Sequence, residues 1–266
     1  MKISGAKNII RGKAMFNNAT LNQLHELRLS AMAACFKEQL EHTTAIASLS
    51  FEERFGMLVE TEWLHRRDKR TERLVRQAGF RFPAAIEDID YANKNGIAKA
   101  EILKHSLCNY IKKAHNIFFC GPTGVGKTYL ACALGTAACI QGFPVVYTRL
   151  PDYFLAVFSA QAQGRHPRLR DKCAKAPLLI IDDWGLKKFS FEETAELAGL
   201  FERRYRRAST IISAQVPSAA WHELFPDPTQ ADSILDRLVH NAYPYNITGE
   251  SMRKTIGMKS LAIADL

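Results

Sequence analysis

The stretch that decides the fold is NIFFCGPTGVGKTYLA at residues 116–131, an apolar run followed by a glycine-rich segment with a lysine and a threonine. The run NIFFC predicts a buried strand, and the residues from 126 onward predict a helix. Between them the spacing matches GxxxxGK[ST], a loop whose backbone N–H groups surround phosphate oxygens at a helix start. The sequence therefore predicts a nucleoside triphosphate site. Its expected contacts are Gly121, Pro122, Thr123, Gly124, Val125, Gly126, Lys127, Thr128 and Tyr129.

Two side chains of this loop and two downstream carboxylates carry the expected chemistry. Lys127 is expected to neutralise the β and γ phosphates of ATP, and the Thr128 hydroxyl to hold Mg²⁺. In APLLIIDDWG, residues 176–185, Asp182 and Asp183 come at the end of a buried strand, the sheet edge where ligands collect. We assign Asp182 to the surroundings of the metal and Asp183 to the attacking water. Because adjacent carboxylates repel each other, this pair requires a nearby cation.

The segments around the loop alternate between strand and helix patterns. Short apolar strands alternating with longer helices predict an α/β fold with a parallel sheet between helices. One helix of this region is expected to begin at a capping box formed by Ser190 and Glu193. The expected strands are 116–120, 143–148, 177–182 and 209–214, and the expected helices are 98–114 and those beginning at 126, 151 and 190.

The N-terminal third predicts a small all-α domain. Thr20 with Gln23 indicates the start of a helix over 20–41, and Ser50 with Glu53 the start of a long helix ended by Gly79. The first part of the long helix is expected to bury Phe51, Phe55, Leu58 and Val59. Because 80–96 is irregular, we place the domain boundary near residue 85, with a helical domain at 1–85 and an ATPase domain at 86–266.

The composition of the chain indicates which class of partner and which cellular compartment to expect. Lys and Arg total 36 against 27 Asp and Glu, a net charge of +9, which favours a polyanionic partner such as nucleic acid. The six cysteines lack zinc-ligand spacing and are expected to be reduced residues of the core. We find no signal peptide and no apolar run of about 20 residues, the length of a membrane span. The sequence therefore predicts a cytoplasmic protein without a membrane partner.

A basic stripe in WLHRRDKRTERLVRQ, residues 63–77, is the candidate DNA contact. Its cations recur every three or four positions and so share one helical face, while Leu64, Leu74, Val75 and Ala78 lie on the opposite face. Such a face can follow a phosphate backbone without reading base sequence. The alternative is a solvated face paired with Asp68 and Glu72. The stripe consists of Arg66, Lys69, Arg70, Arg73 and Arg76.

The chain resembles AAA+ ATPases, and among them the IstB-type transposition helper proteins of insertion sequences, which are similar to DnaC-type helicase loaders. The stretches that carry the resemblance are GPTGVGKTYLA, LLIIDDWG, ADSILDRLVHNAY and GESMRK. The resemblance implies a five-stranded AAA+ sheet with the P-loop strand central. It also implies that Gln215, or else Ser213, is the sensor 1 residue, that Arg237 is the arginine finger, and that Arg253 is the sensor 2 arginine.

The resemblance also implies a function. We expect an ATPase that forms a homo-oligomer on duplex DNA and helps a cognate transposase choose or prepare its target. Asp183 stands where AAA+ proteins usually have glutamate, so hydrolysis to ADP and phosphate is expected to be slow or to depend on assembly or a partner. Two alternatives stay open: a DnaC-like loader of a replicative helicase, and a nucleotide-gated DNA scaffold with little turnover.

Overall fold

The structure, a computed structural model, describes residues 17–42, 46–91, 96–165 and 167–249. The chain divides into two compact units, Met1–Glu72 and Arg73–Leu266, and the division falls inside a long helix, Phe51–Ala78. This division lies earlier in the chain than the expected position near residue 85. In the first unit and across the division the helices are α1 (17–26), α2 (Ser30–Glu41) and α3 (Phe51–Ala78).

Two helices replace the single helix expected over 20–41. Arg28 has a φ of 59°, in the left-handed region, and an α-helix of L-residues does not continue through such a residue. The expected capping box at Thr20 and Gln23 is also wrong, because the described chain is already helical from residue 17. The start of α2 is instead capped from a distance: Glu62 Oε2 accepts hydrogen bonds from the backbone N–H groups of Ala31 and Met32 at 3.0 and 3.1 Å.

The ends of α3 agree with the sequence, but its first turns do not bury the expected side chains. Ser50 and Glu53 exchange hydrogen bonds at 2.7 and 3.2 Å as a capping box, and Gly79 follows the last turn with a φ of 72°. However, Phe51, Phe55 and Val59 are 68, 52 and 44% exposed, and Leu58 is only partly buried. Apolar spacing predicts that these residues share one face of the helix, but it does not predict whether that face is buried.

The second unit holds the predicted α/β fold. Each expected strand is present, and a fifth strand, Ala242–Asn246, follows them. The helix expected over 98–114 is interrupted, because Cys108 adopts a left-handed φ of 58°. The helices are α4 (Lys99–Ser106), α5 (Asn109–Lys112), α6 (Lys127–Ile140), α7 (Leu150–Ala162), α8 (Arg168–Lys175), α9 (Phe191–Arg204), a 3-10 helix (Ser218–Leu224) and α10 (Pro228–Val239). The strands are β1 (Asn116–Cys120), β2 (Val145–Arg149), β3 (Leu178–Trp184), β4 (Ser209–Ala214) and β5 (Ala242–Asn246).

The five strands form one parallel sheet in the order β2-β3-β4-β1-β5. The P-loop strand β1 is therefore an interior strand, between β4 and β5, whereas the middle position belongs to β4. Since all strands run the same way, the ends of β1, β3 and β4 meet at one edge of the sheet. This edge carries the glycine-rich loop, the two aspartates and Gln215.

Both faces of the sheet are covered by apolar layers, as expected for a parallel sheet. Alternate strand residues enter different layers: Phe118 and Ile181 pack in one, and Ile117 and Ile180 in the other. Leu74 and Ala78, at the end of α3, belong to the second layer. The capping box of Ser190 and Glu193 is present at the start of α9. These layers hold the site-bearing edge in place.

The six cysteines carry free thiols, as expected, and all except the partly buried Cys35 are buried. Burial raises the pKa of Cys132 to about 11 and the pKa of Cys173 to about 12. Within the described ranges we find no helix with the length and apolar character needed to cross a membrane.

Candidate functional site

The glycine-rich loop has a backbone that side chains would obstruct. Gly121, Gly124 and Gly126 have φ values of 149, 91 and 95°, a region that L-residues rarely adopt. A Cβ on Gly121 would lie 2.1 Å from the Ile247 carbonyl oxygen. Since Gly126 directly precedes α6, the first N–H groups of that helix open toward the loop, which suits an anion.

Lys127 and Thr128 lie where the motif predicts. The Lys127 ammonium is nearly buried and donates hydrogen bonds to the carbonyl oxygens of Gly121 at 2.8 Å and Pro122 at 2.7 Å. Thr128 Oγ1 donates to the Asp182 carboxylate, 3.0 Å from each oxygen. The structure thus brings the loop and the first aspartate into direct contact.

The remaining loop residues contribute mainly backbone. Pro122 and Thr123 are exposed, whereas the Val125 side chain is buried in the core, which leaves only its main chain for a ligand. Tyr129 is partly buried and packs against the apolar layer beneath the sheet. The prediction that these residues contact nucleotide remains a prediction.

A bulge in β3 explains how two consecutive aspartates reach one place. Successive side chains of a regular strand point to opposite faces. Here the pairing of β3 with β4 shifts between Ile181 and Trp184, and Asp183 adopts a φ of 60°. As a result both carboxylates come within 4.0 Å of the same guanidinium, that of Arg81.

Three residues around the carboxylates were not identified as site residues from the sequence: Arg81, Tyr147 and Arg149. Arg149 Nε donates to Asp183 Oδ2 at 2.6 Å, and this contact raises the pKa of the arginine. The Tyr147 hydroxyl donates to Asp182 Oδ2 at 2.8 Å. Burial, with Asp182 beside it, raises the pKa of Tyr147. No motif marks these residues, and the pairing of Arg149 with Asp182 on neighbouring strands is visible only in the folded sheet.

The arrangement fits a magnesium ion. Thr128 and Asp182 offer hydroxyl and carboxylate oxygens, the hard donors that Mg²⁺ prefers. Among the described residues no group of three or more His, Cys, Asp and Glu could hold a metal by itself. A site with so few protein ligands suits an ion that takes its other ligands from phosphates and water.

The two sensor 1 candidates lie on either side of the last residue of β4, Ala214. Gln215 directly follows Ala214, whose carbonyl oxygen accepts a hydrogen bond from the Gly121 N–H at 3.2 Å. It is exposed at the same edge as the loop and the aspartates. Ser213 is 2% exposed within the strand. The geometry favours Gln215, and its role is a prediction.

Arg237 does not lie near the P-loop of its own chain. It is in the last turn of α10, beside a cleft with Asn116 and Arg204, at the starting end of β1. Its guanidinium contacts Glu202 at 2.6 Å. Because the P-loop follows the other end of β1, a five-residue strand roughly 16 Å long separates the two. The sensor 2 candidate, Arg253, lies outside the described residues.

The predicted DNA face lies on α3. Lys69, Arg70, Arg73 and Arg76 are exposed. Arg66 is also exposed, but its Nε donates to Glu62 Oε1 at 2.8 Å. Of the two carboxylates weighed as partners, Asp68 contacts Arg67 at 3.9 Å, outside the predicted set. The exposure of this face leaves it accessible to a phosphate backbone.

The fold and the site together define a class. A five-stranded parallel sheet in this order, with a P-loop after β1 and an acidic pair after β3, makes the protein an ATP-binding protein of the AAA+ class. More narrowly, the chain belongs to the family of IstB-like ATP binding proteins, whose model matches residues 22–260.

Relatives of known sequence come from bacterial insertion sequences. The chain is 40% identical over 246 residues to y4pL of Sinorhizobium fredii, described as a candidate insertion sequence ATP-binding protein, covering 92% of this chain and 100% of the relative. It is 39% identical over 206 residues to the corresponding protein of insertion sequence IS1162 from Pseudomonas fluorescens, covering 77% of this chain and 89% of that relative.

Solved structures share the fold at low identity. DnaI matches with a TM-score of 0.54 and 20% identity, over 66% of this chain and 98% of that one. The DnaC helicase loader matches with a TM-score of 0.54 and 19% identity, over 62 and 97%. The replication initiator DnaA, bound to AMPPCP and single-stranded DNA, matches with a TM-score of 0.55 and 21% identity, over 71 and 57%.

Proposed function

We propose that this protein is an ATPase that assembles on duplex DNA and helps a transposase select or prepare target DNA. Membership of the IstB-like family and relatives encoded in insertion sequences support the link to transposition. The single observation that carries the ATPase part is the contact between Thr128, in the P-loop, and the buried Asp182. It joins the phosphate-binding loop to the acidic strand end that phosphoryl transfer requires.

Each side chain of the site has its own role in the proposed hydrolysis. Thr128 and Asp182 would hold magnesium, which when bound neutralises charge on the β and γ phosphates. Lys127 can turn from the loop carbonyls toward those phosphates. Asp183 orients the attacking water, and Gln215 is placed to hydrogen-bond at the same edge. The bond from water oxygen to γ-phosphorus forms as the bond to the β–γ bridging oxygen breaks, giving ADP and phosphate.

The position of Arg237 supports a site completed by a second copy of the chain. An arginine at the starting end of β1 is too far from its own P-loop to contact a γ-phosphate there. A neighbouring subunit can present it to that phosphate, so hydrolysis depends on assembly. This account requires Arg237 to leave Glu202 when subunits meet.

The exposed cations of α3 support duplex DNA as the polyanion. Contacts from Arg70, Arg73 and Arg76 to phosphates give affinity that falls with salt and depends little on sequence. Such binding suits a protein that must act on many target sites. A net charge of +9 assists it over the whole surface.

One observation favours the scaffold alternative. Arg149 Nε donates to Asp183 Oδ2 at 2.6 Å, so this oxygen is engaged by a cation and is less available to orient the attacking water until the arginine withdraws. Slow turnover would follow unless a partner releases the contact. The helicase-loader alternative has only the fold similarity to DnaC and DnaI in its favour, and at 19 and 20% identity this similarity shows the fold alone.

Mixing two inactive variants tests the shared site. We expect Lys127→Ala to lose ATP binding and Arg237→Ala to bind ATP without hydrolysing it. In mixtures a Lys127→Ala subunit can supply its intact arginine to the nucleotide of an Arg237→Ala subunit, so part of the phosphate release should return. Phosphate release against mixing ratio on duplex DNA measures this. Mixtures as inactive as Arg237→Ala alone would contradict a shared site.

A pull-down separates the helper from the loader. The helper predicts ATP-dependent retention of the transposase encoded by the same insertion sequence on duplex DNA carrying this protein. A loader predicts retention of a replicative helicase instead. Retention of the helicase without the transposase would overturn the proposal.

A further inference from the structure

Arg81 lies next to the acidic pair although it comes from outside the sheet. It is the third residue after Ala78, where α3 ends, and it precedes α4 in the chain. Its Nη1 is 3.6 Å from Asp182 Oδ2 and 4.0 Å from Asp183 Oδ2. Among the described residues no other cation has an ion pair with both aspartates. The same guanidinium lies 5.4 Å from the ring centre of Phe82.

The backbone that carries Arg81 is fixed against the P-loop helix α6. Phe80 occupies the space left by Gly135, where a Cβ would come within 2.5 Å of the phenyl ring. On the other side of Arg81, the backbone N–H groups of Phe82 and Arg81 approach the Cys132 thiol of α6 and oppose the rise in its pKa that burial causes. The position of Arg81 is therefore set by packing on both sides.

The burial of the two partners differs strongly. The Asp182 side chain is 1% exposed, whereas the Arg81 side chain is 36% exposed. Asp182 Oδ2 already accepts a hydrogen bond from Tyr147 and one from Thr128. Arg81 is the exposed residue of this group, whereas Thr128 and Tyr147 are partly buried, so the guanidinium can withdraw while the carboxylate keeps its position.

We propose that Arg81 is a positioning residue that competes with magnesium for Asp182 and Asp183. The inference rests on the proposed magnesium–ATP site. While Arg81 faces the carboxylates, it compensates their charge and keeps Asp182 oriented toward Thr128. When magnesium nucleotide binds, Arg81 moves toward solvent, because two cations cannot both approach the same oxygen closely. The affinity for magnesium is therefore set lower than the carboxylates alone would give.

The strength of the ion pair between Arg81 and Asp182 sets the expected change in magnesium affinity. An ion pair that is one-third exposed is worth roughly 0.2–1 kcal/mol, equivalent to a factor of up to about five in a binding constant. Removing the guanidinium should tighten magnesium binding by that factor. Replacing Arg81 with another cation of similar reach should retain the competition.

The test measures the Mg²⁺ concentration that half-saturates binding of a fluorescent, non-hydrolysable ATP analogue, a readout independent of turnover. We expect Arg81→Gln and Arg81→Met to lower that concentration by a factor of up to about five, and Arg81→Lys to stay near wild type. Arg207→Gln is the matched control, because Arg207 is exposed near the start of β4, at the opposite edge of the sheet. It should not shift the midpoint. Melting temperatures confirm that each variant is folded.

Three results would overturn the inference. The first is an Arg81→Gln midpoint equal to that of Arg207→Gln, and the second is a midpoint raised above wild type. The third is a tightening of analogue binding that is equally large in EDTA, since Arg81 would then act on the nucleotide and not on the metal. A wild-type chain that binds no analogue at any Mg²⁺ concentration would instead contradict the proposed function.

Discussion

At the scale of single residues, the proposed chemistry depends on the surroundings of Asp182. A carboxylate that is 1% exposed is stable only if its oxygens are hydrogen-bonded or paired with cations. Thr128 and Tyr147 donate to it, and Arg81 lies 3.6 Å away. The site is therefore ordered by groups from β2, α6 and the segment after α3, as well as by the two motifs.

The variant Tyr147→Phe tests whether the hydrogen bond from Tyr147 to Asp182 stabilises the protein. The variant removes one donor from a buried carboxylate without changing the ring, so we expect the free energy of unfolding to fall by about 2 kcal/mol. Urea denaturation measures it. Tyr205→Phe is the control, because the Tyr205 hydroxyl makes no hydrogen bond with any residue that the structure describes. Equal stabilities of the two variants would contradict the role of Tyr147.

The sequence could predict candidate residues that belong to local motifs, and their roles in the site stay predictions. Lys127 and Thr128 follow from the loop pattern, and Asp182 follows from the strand that precedes it. Arg81, Tyr147 and Arg149 could not be identified, because a linear pattern does not show how far a long side chain reaches across a fold. Asp183 was identified, but its left-handed φ of 60° and its bond to Arg149 were not expected.

At the scale of elements, the apolar runs predicted the strands, and two of the three expected capping boxes are present, whereas the one at Thr20 and Gln23 was wrong. Ser50 and Ser190 mark true helix starts, and each strand expected after residue 115 exists. The errors occurred at Arg28 and Cys108, where a left-handed residue interrupts a helix while the apolar period continues. Sequence patterns also left open whether the first turns of α3 are covered, since amphipathic spacing is the same on an exposed face and a buried one.

Ser190→Ala tests the start of α9. The Ser190 hydroxyl accepts a hydrogen bond from the Glu193 N–H at 3.1 Å, and losing it should lower the free energy of unfolding by about 1 kcal/mol. Thermal or urea denaturation provides the value. Ser190→Thr keeps the accepting hydroxyl and should remain within a few tenths of a kcal/mol of wild type. If Ser190→Ala and Ser190→Thr have the same free energy of unfolding, the hydrogen bond of the cap does not contribute to stability.

At the scale of the whole molecule, function depends on surfaces that face other molecules. The sequence indicated a helical N-terminal region and an α/β region, but the division lies inside α3, because the last turn of that helix packs Leu74 and Ala78 into the second unit. Arg237 illustrates the same limit. Its distance from its own P-loop follows from sheet topology, which no local pattern contains.

Charge reversal on α3 tests the DNA surface. We expect Arg70→Glu combined with Arg73→Glu to reduce the slope of log affinity for duplex DNA against log salt by roughly two, because two phosphate contacts are lost. Affinity for ATP should not change. A variant with Glu at Arg206 and Arg207 carries the same charge change on another exposed segment and serves as the control. Equal slopes for both variants would place the DNA contact elsewhere.

The central claim is that bound ATP holds copies of this chain together on DNA. Sedimentation velocity on duplex DNA, with and without magnesium and ATP, tests it most directly. The account predicts large, fast-sedimenting complexes only when ATP is present, and none for Lys127→Ala. Wild-type complexes that sediment identically with and without nucleotide would contradict it.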